Sequence, residues 1–251
     1  MPLVPKRQRR ILRLLEAEGG LRTQELARRL GVSEATVRRD LAALAERGLV
    51  ERTHGGALPL RMGSAAEPPF DLKARRKVPE KERIAARAAE LVPERATVIL
   101  DSGTTALALA RRLAERRVTV IALDLKTAEA LARGRAEVWL VGGRARNGLF
   151  SLVGPWAEAQ LAEVHADLFF LGADAVDDEA VTNATVEEAA VKQRAAAAAE
   201  ATYLIADHSK FGRRALARVV GLEALTGVIT DRASAPFVPA LKEKVPVVEL
   251  V

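Results

Sequence analysis

Apolar residues recur at helical spacing through the first part of the chain. The expected inward-facing stripes are Ile11, Leu14 and Leu15, then Leu26, Ala27 and Leu30, then Val37, Leu41 and Leu44. Spacings of three and four residues place such positions on one face of a helix. Glycines at 19–20, 31 and 48 are expected to end the helices, and Thr23 and Ser33 are the expected N-caps of the second and third. The pattern predicts three short helices, a strand over residues 49–53 and a tight turn at residues 54–56.

A different pattern follows residues 59–70, whose prolines, Gly63 and Ser64 predict a linker. Short apolar runs now alternate with helix-forming stretches. Strands are expected over residues 97–100, 118–123, 138–141, 168–171, 203–206, 228–230 and 247–250. Helices are expected near residues 79–91, 104–116, 125–133, 155–163, 185–200 and 236–243, and the alanines at 195–199 are expected to pack closely within one of them. This alternation favours an α/β domain with a mostly parallel sheet.

The composition narrows the class of protein. The chain has 251 residues, of which 49% are hydrophobic, yet no apolar run approaches the roughly 18 residues of a membrane helix. Residues 1–7 lack the apolar core of a secretory signal, so we expect a soluble, cytoplasmic protein without a membrane partner. The chain has no cysteine and three histidines, which excludes disulfides and thiol catalysis and argues against structural zinc. We expect no metal and no cofactor.

The net charge of +6 is unevenly distributed. Residues 1–61 hold 13 Lys and Arg against 7 Asp and Glu, whereas residues 62–251 hold 26 of each. A basic head on a neutral body suggests nucleic-acid binding. An arginine-rich solvated surface explains the charge equally well, so the choice depends on the motifs.

The third predicted helix has the pattern of a DNA-recognition helix. Ala35, Arg39 and Ala42 lie opposite its apolar stripe, with Thr36 and Arg38 on the flanks. Small residues beside an arginine let a helix approach the major groove closely. A preceding short helix, a glycine turn and a following strand with a Gly-Gly turn complete a winged helix-turn-helix.

Several of these residues have a second interpretation. Arg38 has Glu34 four residues earlier and could form only a surface pair, whereas Arg39 has no acidic residue at helical spacing. Ser33 and Thr36 could reach phosphates or serve only as cap and filler, and His54 could contact phosphate or be an exposed turn residue. The predicted DNA-binding residues are Thr23, Ser33, Ala35, Thr36, Arg38, Arg39, Arg52 and His54.

The sequence Asp101-Ser102-Gly103-Thr104-Thr105 follows a predicted strand and opens a predicted helix. Ligands of α/β proteins bind at the carboxyl ends of parallel strands. The free N–H groups of a helix start and nearby hydroxyl groups suit a phosphate. The alternative is a capped helix start without a ligand.

Two further charged positions also follow predicted strands. Asp174 follows the strand at residues 168–171, and Lys210 follows the strand at residues 203–206. A carboxylate can accept sugar hydroxyls and a lysine can pair with phosphate. Each could instead be a helix cap or a surface pair. Lys192 is four residues after Glu188, so a simple ion pair between the two on one helix is a strong alternative to a role in ligand binding.

These motifs together resemble the DeoR-type bacterial transcriptional regulators. The matching stretches are residues 25–27, Val32 to Leu41 (VSEATVRRDL), residues 52–57 (RTHGGA), Glu80-Lys81-x-x-Ile84, residues 101–105, residues 141–143, residues 167–174 and residues 207–212. The resemblance covers nearly the whole chain. It implies a winged helix joined to a sugar-phosphate sensor whose fold resembles ribose-5-phosphate isomerase, and it favours release of DNA by the ligand.

The chain departs from the family pattern in the sensing part. Asp124 stands after Leu123 where the family usually has Thr-Asn, and Ala175 stands in place of a usual glycine, as does Ala180 or Val181. Asp124 is expected to repel phosphate and to favour a hydroxyl or amine of the ligand. The predicted effector-binding residues are Asp101, Ser102, Gly103, Thr104, Thr105, Asp124, Asp174 and Lys210.

The leading hypothesis is therefore a sequence-specific regulator, a repressor of sugar-metabolism genes, whose binding to an operator in double-stranded DNA responds to a phosphorylated sugar. Its expected domains are a winged helix-turn-helix at residues 1–58, a linker at 59–70 and an effector-sensing α/β domain at 71–251. The expected assembly is a homodimer or homotetramer. The alternatives are a sugar-phosphate isomerase and a DNA-binding scaffold with an inactive sensor. Residues 181–185 contain neither the lysine nor the glycine run of the related isomerases, so we expect no catalytic residue.

Overall fold

A computed structural model describes residues 4–18, 20–46, 50–53, 55–59 and 67–251 of the chain. The chain divides into two compact units, Met1–Pro68 and Pro69–Val251. The expectations for Gly19, Gly48, Leu49 and His54 lie outside the described residues. Within the described ranges, no helix combines the length and apolarity that crossing a lipid bilayer requires.

The first unit contains three helices and a small antiparallel sheet. The helices are α1 (Val4–Glu18), α2 (Thr23–Leu30) and α3 (Glu34–Glu46), and the strands are β1 (Leu21–Arg22), β2 (Val50–Thr53) and β3 (Gly56–Pro59). The sheet order is β1-β3-β2. The predicted stripes form the core: Ile11, Leu15, Leu26, Val37 and Leu41 are fully buried. The strands β2 and β3 form the wing.

The ends of these helices follow the sequence signals with one correction. Gly31 ends α2 in the left-handed conformation at φ 66°, as expected of a glycine. Ser33 caps α3, because its Oγ accepts a hydrogen bond from the Thr36 N–H at 3.3 Å. Thr23, however, is the first residue of α2 and not its cap, a position that Arg22 occupies without a side-chain bond. The predicted cap is therefore wrong by one position, and the Thr23 N–H donates to the Gly55 carbonyl of the wing at 2.8 Å.

The expected linker is shorter than residues 59–70. Pro59 pairs with Val50 in the wing, and Phe70 begins a helix and is buried. Both ends of the proline-rich stretch therefore belong to folded elements.

The second unit is built on a parallel sheet. Its helices are α4 (Phe70–Ala74), α5 (Val78–Glu90), α6 (Thr104–Leu113), α7 (Leu125–Leu131), α8 (Pro155–Ala162), α9 (Val186–Ala197) and α10 (Val238–Lys242). Its strands, in chain order, are β4 (Thr97–Leu100), β5 (Thr119–Ala122), β6 (Glu137–Leu140), β7 (Arg144–Ala145), β8 (Leu152–Val153), β9 (Ala166–Leu171), β10 (Ala175–Val176), β11 (Ala180–Asn183), β12 (Ala199–Ile205), β13 (Ala217–Gly221), β14 (Gly227–Thr230) and β15 (Val247–Leu250).

All seven predicted strands belong to one sheet of order β15-β14-β12-β9-β4-β5-β6, and every neighbouring pair is parallel. Its central strands are apolar on both faces because both are covered: Ile99 and Phe169 pack into one cluster and Val98 and Phe170 into another. Helices α5 and α6 cover the second face, and α8 and α9 cover the first. The expected α/β fold is confirmed.

Some short elements were not expected. A three-stranded antiparallel sheet, β10-β11-β13, and the hairpin β7-β8 form in the segments that connect strands of the main sheet. The alanine run is also divided: α9 ends at Ala197, and Ala199 begins β12, where it pairs with Ala166. The helix propensity of alanine is overridden there by strand pairing in the sheet.

Candidate functional site

Helix α3 presents the residues expected of a recognition helix. Ala35, Arg38 and Arg39 are exposed, opposite the buried stripe. Arg38 donates to Glu34 at 3.0 Å and remains 63% exposed. Arg39 has no ion-pair or hydrogen-bond partner among the described residues. Of the two arginines, Arg39 therefore has the guanidinium that is available to a ligand.

The other predicted DNA-binding residues are placed differently. Ser33 and Thr36 bond to each other through their hydroxyls at 2.9 Å, at the start of α3. Arg52 is exposed on β2. Thr23 is only 4% exposed and its N–H is already bonded to the wing, so neither its side chain nor its amide is available to a phosphate. His54 lies outside the described residues.

One contact in this unit was missed by sequence reasoning. Asp40, next to Arg39, is buried and accepts two hydrogen bonds from the Arg7 guanidinium on α1. That bond raises the pKa of Arg7. The pair ties α1 to α3 and so fixes the helix on which Arg39 lies. The sequence around Asp40 could not reveal this contact, because its partner Arg7 lies 33 residues away and on another helix.

In the second unit the sheet places several predicted residues together. After β4 the chain adds β5 and β6 on one side, and it then returns to add β9 on the other side. The point between β4 and β9 is thus the topological switch point, where open α/β sheets bind ligands. The loop after β4 begins with Asp101 and the loop after β9 with Gly172. The Gly172 N–H donates to Asp101 Oδ2 at 2.7 Å, so the two loops meet.

Asp101 is the buried centre of this edge. Its Oδ1 accepts the Ser102 N–H at 2.7 Å, and its Oδ2 lies 2.9 Å from Lys192 Nζ. Burial raises the pKa of Asp101 to about 6, although Lys192 opposes the shift. Asp101 therefore holds the loop and the lysine in place.

Lys192 is part of the site, which sequence reasoning did not establish. It is 3% exposed on α9. Besides Asp101, Nζ donates to Asn183 Oδ1 at 3.2 Å and to the Gly172 carbonyl at 3.3 Å, whereas Glu188 lies 3.9 Å away. Burial would lower the pKa of Lys192, but the surrounding carboxylates outweigh it and raise the pKa above its ordinary value. The helix pair with Glu188 is thus the weakest of its contacts.

Glu188 connects this centre to the hairpin β7-β8. Its Oε1 accepts the Ser102 hydroxyl at 3.0 Å, and its Oε2 pairs with the guanidinium of Arg146. Glu188 and Arg146 are both almost buried. Neither residue was predicted to belong to the site, because they are 42 residues apart in the sequence and only the fold brings them together.

The start of α6 is left with free donors. Gly103 precedes the helix at φ 114°, a conformation that favours glycine, and no side chain caps the helix. The first helical bond runs from the Leu107 N–H to the Gly103 carbonyl. Among the described residues, no acceptor is found for the N–H groups of Thr104, Thr105 and Ala106. The Thr104 and Thr105 side chains are partly exposed, so they too are accessible.

Asp124 has a structural role that was not expected. It is completely buried and caps α7, where Oδ1 accepts the Thr127 N–H at 2.7 Å. Its Oδ2 accepts the Thr127 hydroxyl at 2.9 Å and the Gly103 N–H at 3.0 Å. Its oxygens have partners within the protein, and the expected contact with a ligand hydroxyl or amine stays a prediction. Asp124 fixes the loop before α6.

Asp174 lies among cations at the same edge. Its Oδ2 accepts the Ala184 N–H at 3.0 Å. Burial would raise the pKa of Asp174, but the charges of Lys192, Lys210 and Lys73 outweigh it and lower the pKa. Lys210 ends a 3₁₀ turn at His208–Lys210, and its charge acts on Asp174. Asp207 caps that turn through Ser209.

A winged helix-turn-helix on one unit, joined to an α/β unit with polar groups at its switch point, defines the class of ligand-responsive DNA-binding regulators. The comparisons with known proteins agree. Residues 7–60 match the DeoR-like helix-turn-helix domain, and residues 76–232 match the DeoR C terminal sensor domain. The chain belongs to the DeoR family of transcriptional regulators.

Full-length relatives support this assignment. The chain is 36% identical to the HTH-type transcriptional regulator GlpR of Haloferax volcanii, over 91% of this chain and 90% of the relative. It is 35% identical to the regulator GolR of Listeria innocua, over 90% of each chain. It is 31% identical to the lactose phosphotransferase system repressor of Staphylococcus aureus, over 95% of this chain and 96% of the relative. The expectation of a regulator rather than an enzyme is confirmed by these relatives.

Solved structures match only part of the chain. Ribose 5-phosphate isomerase A of Methanocaldococcus jannaschii is 19% identical, covers 52% of this chain and 53% of its own, and has a TM-score of 0.40. A translation initiation factor eIF-2B of Pyrococcus horikoshii is 18% identical with a TM-score of 0.45, over 62% and 63% of the two chains.

Proposed function

We propose that this regulator binds a phosphorylated sugar at the carboxyl edge of its parallel sheet, and that this ligand changes the affinity of the winged helix for its operator. The observation that carries the proposal is the start of α6, where three N–H groups and two threonine hydroxyls lack acceptors within the described structure. A phosphate supplies the oxygen atoms that such donors need.

The charges around α6 are compatible with an anion. The carboxylates of Asp101 and Glu188 are already paired with Lys192 and Arg146. They therefore offer little repulsion to a phosphate. Lys210 is close enough to Asp174 to lower its pKa, and its ammonium adds an attractive charge.

Asp174 is the group best suited to the sugar. Its Oδ2 is bonded to the Ala184 amide, and the carboxylate remains only partly buried. Carboxylates accept hydroxyl donors strongly. A ligand with a phosphate that binds at α6 and hydroxyls that donate to Asp174 is a phosphorylated sugar. The relative named as the lactose phosphotransferase system repressor favours a role in carbohydrate metabolism, with repression as the mode of control.

The DNA-binding part of the proposal assigns α3 to the major groove. Arg39 is the base-contacting residue, with Ala35 allowing close approach and Arg38 on the flank. Ser33, Thr36 and Arg52 are proposed to contact the DNA phosphates. Thr23 is omitted because it is buried.

The ligand site is tested by replacing Thr104 and Thr105 together with valine. The double variant keeps the shape of α6 and loses two hydroxyl donors. DNA selected from random duplexes by the wild type serves as the operator, and glycerol 3-phosphate, fructose 1-phosphate and glucose 6-phosphate serve as probes. We expect normal operator binding and no response to the probe that acts on the wild type.

A matched control is Thr119→Val, which removes a hydroxyl at the opposite, amino end of β5. This variant should respond as the wild type does. A double variant that still responds at wild-type ligand concentrations would place the phosphate elsewhere and refute the site.

A further inference from the structure

Helix α4 is the first element of the second unit, directly after the residues that join it to the first. It continues into a turn at Arg75–Lys77 before α5 begins. We propose that residues 70–76 form a latch that an anion at the carboxyl edge tightens, so that ligand binding reaches the chain leading to the winged helix. This inference rests on the proposed function, because it requires the anion to bind at that edge.

The latch is held at its carboxyl end by a buried lysine. Lys81 on α5 is 7% exposed, and its Nζ donates to the Lys73 carbonyl at 2.6 Å and to the Arg76 carbonyl at 2.7 Å. The last carbonyls of a helix have no partner within it. Lys77 next to them has φ 54°, a strained conformation for a side-chain-bearing residue. The ammonium of Lys81 thus supplies bonds that keep this turn in one conformation.

The charge of Lys81 depends on the carboxyl edge. Burial lowers its pKa to about 8, and Asp207 opposes that shift. The cations Lys210, Lys73 and Arg76 lower it further. Asp207 and Lys210 belong to the loop after β12, one of the loops of the proposed ligand site. An anion bound there offsets the cations, raises the pKa of Lys81 and keeps the ammonium protonated.

The latch is held at its other end by a hairpin turn. The Phe70 N–H donates to the Gly148 carbonyl at 2.9 Å, and the Phe70 and Phe150 rings meet edge-to-face with centroids 5.5 Å apart. Phe150 has φ 70°, and the turn is closed by its N–H donating to the Arg146 carbonyl at 2.9 Å. A phenylalanine in this conformation needs surrounding contacts to hold it.

This turn also leads to the ligand site. The Arg146 guanidinium pairs with Glu188, and Glu188 accepts the Ser102 hydroxyl. A phosphate that accepts the Ser102 hydroxyl takes this hydrogen bond away from Glu188. The loss of that bond changes how Glu188 pairs with Arg146. Both ends of the latch are thus connected by direct contacts or by charge to residues of the carboxyl edge.

The consequence is a coupling between the site and α4. A ligand shifts an equilibrium only by its differential affinity for the two states, and typical couplings between sites are about 5–150-fold. If the anion binds the latched state better, the amides of residues 70–77 should open less often when it is present. That change is measurable without knowing the operator.

The test is amide hydrogen exchange on the full chain with and without inorganic phosphate. In the wild type just above pH 8, where Lys81 without an anion is largely neutral, phosphate should protect residues 103–107 and should also slow exchange at residues 70–77 by roughly 5-fold or more. Lys81→Gln should keep the first effect and lose the second. Arg87→Gln, on the same helix but paired with Glu249, is the control and should behave as the wild type.

A charge-preserving variant separates signalling from simple support of the fold. Below pH 7 the Lys81 ammonium is protonated with or without phosphate, so the wild type should show little phosphate effect at residues 70–77. The effect should grow as the pH rises through about 8, after correction for intrinsic exchange rates. Lys81→Arg should exchange slowly at residues 70–77 over this whole range and show no phosphate effect there, because a guanidinium stays charged without the anion. A structural role for Lys81 would give no such difference.

The possible failures are distinguishable. Protection at residues 103–107 without any change at 70–77 in the wild type overturns the latch and leaves the ligand site standing. A wild-type response in Lys81→Gln overturns it as well. Protection at neither segment overturns both the latch and the phosphate site.

Discussion

Arg38 and Arg39 are neighbours in the sequence with different surroundings. Glu34 neutralises Arg38, whereas Arg39 projects from α3 without a partner in the described structure. An unpaired guanidinium has no bond to lose when it binds a base or phosphate, and its planar donors match guanine edges. The two arginines are therefore expected to contribute unequally to operator binding.

Replacing Arg39 with alanine should weaken specific DNA binding while the protein stays folded. Loss of a bidentate base contact removes about 1–3 kcal/mol of discrimination. If Arg39 instead contacts phosphate, the slope of affinity against salt should fall by about one unit. Gel-shift titrations on operator and random DNA at several salt concentrations measure both quantities.

The control for charge is Arg13→Ala, an exposed arginine on α1. It removes the same charge from the same unit without touching α3, so its operator discrimination should remain that of the wild type. An Arg39→Ala variant with unchanged operator affinity contradicts the assignment.

At the scale of elements, the loop before α6 depends on the cap of α7. Asp124 is fully buried and accepts three hydrogen bonds, from the Thr127 N–H, the Thr127 hydroxyl and the Gly103 N–H. Asp124→Ala removes a helix cap, worth about 1 kcal/mol, and leaves a backbone N–H unsatisfied at a further cost of about 1–3 kcal/mol. We expect a loss of roughly 2–4 kcal/mol in the free energy of unfolding, measured by denaturant titration.

The exposed Glu129 on the same helix provides the comparison. Glu129→Ala removes a carboxylate that pairs only at the surface, with Lys126 and Arg133, and should change stability by less than about 0.5 kcal/mol. If Asp124→Ala keeps wild-type stability yet abolishes the response to sugar phosphates, Asp124 is a ligand residue after all.

Helices and strands of this chain were predictable where buried apolar residues recur in a regular pattern along the sequence. The strand at Thr97–Leu100 matches its predicted bounds, because a central strand buried on both faces is an apolar run ended by a polar residue. The strand at Val247–Leu250 also matches its predicted bounds, although it is a partly exposed edge strand. The two-residue strands β7, β8 and β10 were not predictable, since so short a run has no periodicity. Ala199 was misplaced because alanine favours a helix and only its pairing with Ala166 makes it a strand residue.

The candidate site shows the same division. Gly103, Thr104 and Thr105 were found because a strand end followed by a helix start is a local pattern. Lys192 was left open because its sequence neighbour Glu188 offered a sufficient partner, whereas its closest contact, Asp101, is 91 residues away in the chain. The internal contacts of Asp124 were missed because its partner Gly103 becomes visible only once β4 and β5 are neighbours.

At the scale of the whole molecule, charge and function are divided between the two units. The excess of positive charge lies in residues 1–61, and residues 62–251 are balanced. Attraction to the phosphate backbone is then a property of the winged helix, and it weakens with salt. Ligand recognition can change without altering this attraction, because the charged groups at the carboxyl edge are largely compensated among themselves.

The last prediction concerns assembly. One winged helix places a single α3 in the groove and offers few contacts, so a single copy should bind weakly. Linking two copies converts the second binding event into an intramolecular one, which can raise affinity by about 10²–10⁴. We therefore expect a symmetric oligomer that binds a repeated or palindromic operator. Light scattering at micromolar concentration should give at least twice the mass of 27.0 kDa, and a two-site duplex should bind far more tightly than a one-site duplex. A monomer that binds a single half-site with full affinity would rule this out.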